Sequence, residues 1–271
     1  MPCYKPLGGY LYTLPDGKRR VRFIPRYQVG DEHKCRFPDG ADEFVQIPCG
    51  KCIGCRLDYA SSWADRLCVE ALDFSSEQRW FLTLTYDDAH LPPAGASGVH
   101  TLVPRHLTLW MKRLRKRFPD ASVRFYASGE YGDKSGRPHY HVILFGVTFA
   151  DLHVVGKTDL GYPLFESPLM ESVWSYGKVC IAEFSWNTAS YVARYVLKKL
   201  KGKGARQAYD RAGIVPEFCR MSRRPGIGFN RFDAQSDSYQ LPNGRIGSLP
   251  KSFIEKLKKT DPVWAIQCSS R

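Results

Sequence analysis

The most informative stretch of this chain is residues 137–146, which read RPHYHVILFG. Two histidines, His139 and His141, open an apolar run that contains β-branched and aromatic residues, a composition typical of a strand. Alternate residues of a strand point to the same face, so the two imidazoles share one face and Tyr140 takes the other. The stretch therefore predicts a strand that carries a pair of metal-binding side chains.

A carboxylate precedes this strand by a short distance. Residues 122–130 read as another strand that ends at Glu130, and the connecting YGDKSGRP has the composition of a turn. If Glu130 lies opposite His139, then Glu130, His139 and His141 share one face of a hairpin. The other face would carry an apolar set: Val123, Phe125, Ala127, Val142 and Leu144.

Two imidazoles and one carboxylate suit Mn²⁺, Mg²⁺ or Zn²⁺ and leave coordination positions open for a substrate oxygen. An ion in such an open site can polarise a phosphoryl group. The alternative is that both histidines only form hydrogen bonds, as many histidines on strands do.

The remaining periodicities predict an α+β fold, with a central, mainly antiparallel sheet and flanking helices on one face. Strands are predicted at 80–86, 122–130, 139–147 and 178–184, and helices at 57–72, 105–118 and 187–200. Ser185 or Asn187 is the expected N-cap of the last helix. We expect a single domain over residues 1–271, with a Cys-containing N-terminal segment (about 1–56) and a basic, loop-rich C-terminal tail (about 216–271). Residues 150–178 show no clear pattern.

The composition indicates an ordered protein with an anionic partner. The chain is 43% hydrophobic and 13% aromatic, which excludes general disorder, and its net charge is +13. Basic residues cluster at 112–117, 198–203 and 220–224, where they form either a solvated face or a nucleic-acid interface. No apolar run approaches the about 20 residues of a membrane span, and no signal peptide is visible, so we expect a cytosolic protein without a membrane partner.

Three of the nine cysteines have metal-ligand spacing: Cys49, Cys52 and Cys55 form C-x₂-C-x₂-C. An odd cysteine count without a secretory signal argues against a disulfide framework. A structural Zn²⁺ is the preferred interpretation, with an iron–sulfur cluster or reduced thiols as alternatives. The fourth ligand must come from elsewhere, and the candidates are Cys3, Cys35 and His33.

Two candidate nucleophiles lie on the predicted last helix, within SYVARYVLKK. Tyr191 and Tyr195 are four residues apart, so their phenols lie side by side on one helix face. Each could attack a phosphodiester, and Arg194, Lys198 and Lys199 could steady the phosphate. The alternative is an aromatic pair in the core, which is common at this spacing.

Three segments resemble, in this order, the motifs of the HUH endonuclease superfamily: FLTLTYDD (81–88), GEYGDKSGRPHYH (129–141) and YVARYVLKK (191–199). Three further segments extend the similarity to the rolling-circle replication initiators of gokushoviruses (Microviridae), which are small single-stranded DNA phages. These are PCGKCIGCR (48–56), LWMKRLRKRF (109–118) and SRRPGIGF (222–229). The match covers residues from about 3 to 231.

The resemblance implies an HUH fold with a ferredoxin/RRM-like core and a metal-dependent, site-specific nickase activity. Glu130, His139 and His141 would hold Mn²⁺ or Mg²⁺ beside the scissile phosphate. One tyrosine would attack, leaving a 5′-phosphotyrosine and a free 3′-OH that primes host polymerase, and the other would accept the strand after one round. Relatives often have Lys between the tyrosines where this chain has Arg194, so Lys198 and Lys199 become candidates for charge stabilisation.

The implied partners are single-stranded origin DNA and the helicase and polymerase of a bacterial host, in whose cytoplasm the protein would work. The chain has no G-x-x-x-x-G-K-[ST] loop, so unwinding is expected to need the host helicase. An HUH transposase or relaxase is an alternative, although transposases generally use one tyrosine. A non-catalytic, zinc-dependent nucleic-acid-binding protein is another. Several tail residues could bind DNA backbone or stack on bases, or could equally form a solvated tail: Arg220, Arg223, Arg224, Phe229 and Arg231.

Overall fold

The computed structural model describes residues 3–30, 37–95, 98–194, 204–231, 238–241, 244, 246–248 and 253–254. The chain forms two compact units, residues 1–59 and 60–271. The described strands are β1 (Leu7–Thr13), β2 (Arg19–Phe23), β3 (Glu43–Ile47), β4 (Arg79–Thr85), β5 (Arg124–Tyr131), β6 (Pro138–Phe145), β7 (His153–Lys157), β8 (Pro163–Glu166), β9 (Val179–Glu183), β10 (Phe218–Met221), β11 (Ser238–Gln240) and β12 (Ile246–Ser248). The described helices are α1 (Ile53–Ala71), α2 (Pro104–Arg117), α3 (Pro168–Trp174), α4 (Trp186–Arg194) and α5 (Ala205–Ala212). None of these helices is long and apolar enough to cross a membrane.

The N-terminal unit is built on a small antiparallel sheet with the strand order β2-β1-β3. Leu7 of β1 lies opposite Ile47 of β3, and Gly9 lies opposite Phe23 of β2. Helix α1 starts at Ile53, four residues before the start predicted from its apolar periodicity.

The second unit is built on a seven-stranded sheet with the order β10-β5-β6-β4-β9-β8-β7, in which neighbouring strands are antiparallel. The four predicted strands are present as β4, β5, β6 and β9, with ends shifted by at most two residues. Residues 150–178 supply β7, β8 and α3, and β10 comes from the segment predicted to be a loop-rich tail. The predicted α+β class is confirmed.

Helices cover both faces of this sheet, so the prediction that they cover one face is wrong. One face packs against α2 and α3, through residues that include Leu107, Trp110, Leu114, Met170 and Trp174. The other packs against α1 and α4, through residues that include Ala64, Leu67, Val192 and Ala193. The cause lies in β6, because Val142 and Leu144 are buried on the first face while Ile143 and Phe145 are buried on the second. A strand that is apolar on both faces must be covered on both.

Strand β6 is followed by Gly146, which has a φ of +84°. A Cβ atom here would collide with the carbonyl oxygen of Ser122. The N–H of Gly146 donates to the carbonyl oxygen of Gln78 at 3.0 Å, which fixes the turn. Glycine is therefore needed at this position both for its positive φ and for the close backbone approach.

A buried polar network anchors part of the SRRPGIGF motif. Glu70 of α1 pairs with Arg124 of β5, and the other carboxylate oxygen of Glu70 accepts the N–H of Gly228 at 2.6 Å. Arg124 and Arg66 donate to the carbonyl oxygens of residues 225–227. Each of these buried charges has hydrogen-bond partners, which lowers the cost of burying it.

Candidate active site

Strands β5 and β6 bring three potential ligands together. Glu130 lies opposite His139 in the register, as predicted, and His141 follows two residues along the same face. The Nε2 atoms of His139 and His141 lie 2.7 and 3.1 Å from the same carboxylate oxygen, Oε1 of Glu130. The three side chains can each offer one ligand atom to a common centre, with these atoms within 4.8 Å of one another.

Each imidazole is oriented through its second nitrogen. Nδ1 of His139 donates to the carbonyl oxygen of Arg137 at 3.1 Å, because a carbonyl can only accept. Nδ1 of His141 lies 3.1 Å from the hydroxyl oxygen of Thr83 on β4. Both rings therefore direct Nε2 toward Glu130, and partners of this kind orient metal-binding histidines in proteins generally.

The sequence reasoning missed Thr83 and Arg137 as supporting residues. A signal for Thr83 was present, because FLTLTY alternates leucines with threonines. Leu82 and Leu84 enter the core, and Thr83 lies opposite His141 in the pairing of β4 with β6. A threonine on the histidine-bearing face of the neighbouring strand was thus predictable from alternation once the strand pairing is known.

The side chain of Arg137 fastens the β5–β6 loop to the end of β4. It donates to a carboxylate oxygen of Asp88 at 2.6 Å and to the carbonyl oxygen of Tyr86 at 2.9 Å. The backbone of the same residue accepts from His139. Arg137 thereby connects the segment after FLTLTY to the orientation of one candidate ligand.

Glu130 is 2% exposed, and its carboxyl group is held in its charged form. Burial by itself raises its pKa, but the hydrogen bonds from His139 and His141, together with their charges, outweigh burial and place the pKa below the usual value. The site therefore contains a carboxylate anion next to two imidazoles.

This donor set fits a divalent ion. Adjacent ligands of an octahedral ion with bonds of about 2.1 Å are about 3 Å apart. The two nitrogen-to-oxygen distances at Glu130, 2.7 and 3.1 Å, lie on either side of that spacing. Three protein ligands would leave positions for substrate oxygen or water.

Tyr191 lies beside this cluster on helix α4. The helix starts after Ser185, whose hydroxyl oxygen accepts the N–H of Thr188 at 3.1 Å, so Ser185 is the cap and Asn187 lies inside the helix. The ring centroid of Tyr191 is 5.2 Å from that of His141 and 6.0 Å from that of Phe81.

The exposure of Tyr191 separates it from the core. Tyr191 is 48% exposed, whereas the next two residues, Val192 and Ala193, are fully buried. The core alternative therefore does not describe Tyr191. Arg194 is exposed at the last described position of α4. Tyr195, Lys198 and Lys199 lie outside the described residues.

The basic clusters are placed differently from one another. Residues 112–117 lie on α2, which packs on the sheet face opposite the histidines, and Arg113 donates to the carbonyl oxygens of Val173 and Trp174. Arg220 donates to the carbonyl oxygen of Pro104 and to the hydroxyl of Thr108. Arg223 and Arg224 are exposed.

The other candidate DNA contacts in the tail are only partly described. Phe229 packs edge-on against Phe253 at 5.1 Å between ring centroids. The side chain of Arg231 and the basic residues 198–203 are outside the described part of the chain.

A second group of potential metal ligands lies in the N-terminal unit. The sulfur atoms of Cys3, Cys49, Cys52 and Cys55 are within 4.8 Å of one another. Cys35 and His33, the other candidates for the fourth ligand, are not among the described residues.

These features define an α+β protein with a Glu/His/His group on two neighbouring strands of its main sheet and a half-exposed tyrosine beside it. The family model of the replication-associated protein ORF2/G2P matches residues 79–200, which include β4, β5, β6 and α4. The chain belongs to this family of replication-associated proteins.

Three relatives are similar over most of this chain. It is 36% identical over 237 residues to the replication-associated protein ORF2 of Spiroplasma virus 4, covering 86% of this chain and 70% of the relative. It is 32% identical over 233 residues to the replication-associated protein VP4 of Bdellovibrio phage phiMH2K, covering 80% and 69%. It is 35% identical over 202 residues to the replication-associated protein ORF4 of Chlamydia phage 1, covering 69% and 46%. No solved structure matches the chain.

Proposed function

We propose that this protein initiates rolling-circle replication of a phage genome by nicking single-stranded origin DNA and later rejoining it through a 5′-phosphotyrosine intermediate. The observation that carries the proposal is the position of Tyr191, half exposed and 5.2 Å in ring separation from His141 of the Glu/His/His group. Membership of a family of replication-associated proteins supports the same role.

In this proposal Glu130, His139 and His141 hold Mn²⁺ or Mg²⁺. The bound ion would supply Lewis-acid polarisation of the scissile phosphate. Thr83 and Arg137 keep the two imidazoles directed at that position through their Nδ1 contacts. The buried Glu130 contributes the negative charge that makes the site selective for a cation.

The covalent step is a transesterification. The phenol oxygen of Tyr191 gives up its proton and attacks phosphorus, so an O–P bond to tyrosine forms. The bond from phosphorus to the 3′ oxygen breaks, and that oxygen takes a proton to become the free 3′-OH. One phosphodiester replaces another, and its energy remains available for rejoining.

Tyr195 is proposed as the second nucleophile, which accepts the strand after one round and releases a circle. Its position four residues from Tyr191 in the sequence supports this role. Arg194, exposed on α4, and the sequence-derived candidates Lys198 and Lys199 are proposed to balance phosphate charge.

The proposed partners follow from the same chemistry. A net charge of +13 suits single-stranded DNA, and host helicase and polymerase would supply unwinding and synthesis. The proposed location is the cytoplasm of the bacterial host, where that machinery works.

The experiment is a covalent-adduct assay. The full chain is incubated with Mn²⁺ and labelled single-stranded oligonucleotides that tile the phage genome, and adducts are resolved on a denaturing gel. We expect an adduct at one sequence, its reduction in Tyr191→Phe, and its loss in the Tyr191→Phe/Tyr195→Phe double variant. Tyr162→Phe is the matched control, since Tyr162 is 60% exposed in the turn between β7 and β8. Full adduct formation by the double variant would contradict the assignment.

The four-cysteine group favours a second candidate, a non-catalytic, zinc-dependent nucleic-acid-binding protein. That protein would bind the same oligonucleotides in a gel-shift assay and form no adduct with any of them. The two assays together separate binding from catalysis.

A further inference from the structure

The four cysteines of the N-terminal unit meet because of how two strands pair. β1 and β3 are antiparallel, with Leu7 opposite Ile47. The residues before β1 and the residues after β3 therefore leave the sheet at the same end. Cys3 precedes β1 by four residues and Cys49 follows β3 by two, so the strand pairing brings Cys3 to the C-x₂-C-x₂-C segment.

The sulfur positions fit one tetrahedral ion. The sulfurs of Cys3 and Cys52 are 3.8 Å apart, and those of Cys49 and Cys55 are 4.0 Å apart. Zinc–sulfur bonds of about 2.3 Å in a tetrahedron place the sulfurs about 3.8 Å from one another. A disulfide needs about 2.05 Å. The four cysteines of an iron–sulfur cluster are shared between two or four irons, so their sulfurs do not all lie this close together, whereas the four sulfurs here are within 4.8 Å of one another.

The backbone around the cysteines is arranged to favour thiolates. Four backbone N–H groups donate to sulfurs of the cluster at 3.3 to 3.5 Å, those of Cys49, Lys51, Cys52 and Cys55. Gly50, with a φ of +68°, provides the turn that directs two of these groups at the sulfur of Cys49. Thiolates are the form of cysteine that binds metal, and N–H donors stabilise them.

The described part of the N-terminal unit has only a small hydrophobic core. Among its described residues, the buried hydrophobic side chains are those of Tyr10, Leu11 and Cys55. Large apolar side chains such as Phe23 and Phe37 are half exposed. Units of this size with so little buried apolar area usually need a metal or disulfides to stay folded.

We propose that Cys3, Cys49, Cys52 and Cys55 hold one tetrahedral Zn²⁺ that stabilises the N-terminal unit. Four protein ligands close the coordination sphere, so this ion has a structural role and offers no position to substrate. The proposal concerns a different site and a different metal chemistry from the nickase reaction, and its tests do not use nicking activity.

The first experiment measures the metal content of the full chain, purified under reducing conditions and washed with EDTA. We expect about one zinc per chain by elemental analysis, with no iron, and its stoichiometric release when an organomercurial titrates the thiols. Folded protein that contains no zinc, or that contains iron in place of zinc, overturns the proposal. This measurement uses the unaltered protein and does not depend on how a variant folds.

The second experiment identifies the ligands. After replacement of zinc by Co²⁺, we expect the intense visible bands of tetrahedral cobalt. We also expect a thiolate-to-cobalt charge-transfer band, which a Glu/His/His site cannot give because it has no sulfur ligand. Cys3→Ser should weaken or shift these bands, whereas the matched control Cys68→Ser, a partly buried cysteine of α1 outside the cluster, should leave them unchanged. Unchanged bands in Cys3→Ser would remove Cys3 from the site.

Discussion

The two candidate metal centres of this protein are built in opposite ways. The Glu/His/His group consists of nitrogen and oxygen donors on the two neighbouring strands β5 and β6 of the main sheet, and it depends on their register. The four-cysteine group consists of sulfur donors, three of which lie within seven consecutive residues. Three ligands leave an ion open to substrate, while four enclose it.

This difference predicts different consequences of metal loss. The Glu/His/His group is surrounded by buried residues on β4, β5 and β6, so the strands that carry it are already stabilised by the core. The four-cysteine group lies in a unit whose described residues include few buried apolar side chains. Removing metal should therefore abolish chemistry at the first centre and folding at the second.

The largest expected effect follows from removing the proposed zinc. Structural zinc contributes on the order of 10 kcal/mol in small domains, more than the N-terminal unit can replace with its own contacts. After mercurial release of the metal and removal of the mercurial with thiol in the presence of chelator, trypsin should cut rapidly at basic residues of this unit, such as Arg19, Arg20 and Arg22. Mass spectrometry of the fragments measures this.

Adding zinc back should restore the resistance to trypsin, which serves as the control. Equal cleavage rates with and without zinc would show that the four-cysteine centre is not needed to keep the N-terminal unit folded.

Glu130→Gln should have the next largest effect. The substitution keeps the shape of the side chain but removes the anion, and Lewis-acid stabilisation is worth several kcal/mol, so adduct formation should fall about 1000-fold. The melting temperature should stay within a few degrees of that of the wild type. Glu183→Gln, at an exposed position of β9 in the same sheet, is the matched control. A large loss of stability with retained activity would show that this centre serves folding and not chemistry.

Thr83→Val tests the orientation of His141 and should have a moderate effect. Losing a hydrogen-bond partner of a metal-binding histidine typically lowers metal affinity about 10- to 100-fold. We expect the Mn²⁺ concentration for half-maximal adduct formation to rise by that factor, with a similar rate at saturating Mn²⁺. Thr85→Val is the control, because Thr85 lies on the same strand and donates to the carbonyl oxygen of Lys178. Equal effects of both substitutions would argue against an orienting role.

The smallest expected effect concerns His106, on the sheet face opposite the candidate ligands. Burial, together with the charge of Arg113, lowers the pKa of His106 below its usual 6.5. The unfolded chain then binds the proton more readily, so the contribution of neutral His106 to stability is present above pH 6.5 and is lost as the pH falls through the folded-state value.

His106→Gln should therefore reduce slightly the fall in melting temperature between about pH 7 and pH 5. His153→Gln, at an exposed position of β7, is the control. An unchanged pH profile in His106→Gln would show that His106 does not contribute.

Much of the candidate site could be predicted from local pattern. The alternation of His139, Tyr140 and His141 assigned the faces of β6, and the turn composition after Glu130 predicted the hairpin register that the structure has. The apolar set on the opposite face, with Val142 and Leu144, is buried as expected. These features were accessible because strand alternation and tight turns are local properties of the chain.

Long-range pairing was not accessible in the same way. Thr83 contacts His141 across 58 residues of sequence, and β10 pairs with β5 from a segment that lacks a strong strand pattern. The sequence pattern also did not show that α2 and α3 pack on one face of the sheet and α1 and α4 on the other. Contacts between elements so far apart in the sequence leave no periodic pattern in it, because they depend on how those elements pack together.

Local sequence patterns specify the candidate donors: a histidine pair on one strand face, a carboxylate just before the hairpin loop, a tyrosine pair at helical spacing, and three cysteines with metal-ligand spacing. The tertiary structure selects the distant residues that complete each group. It brought Cys3 to the cysteines because β1 and β3 pair in antiparallel fashion, and it placed Tyr191 beside His141 because α4 packs on the histidine-bearing face of the sheet. Side-chain chemistry is encoded residue by residue, whereas proximity between distant residues is set by how strands pair and helices pack.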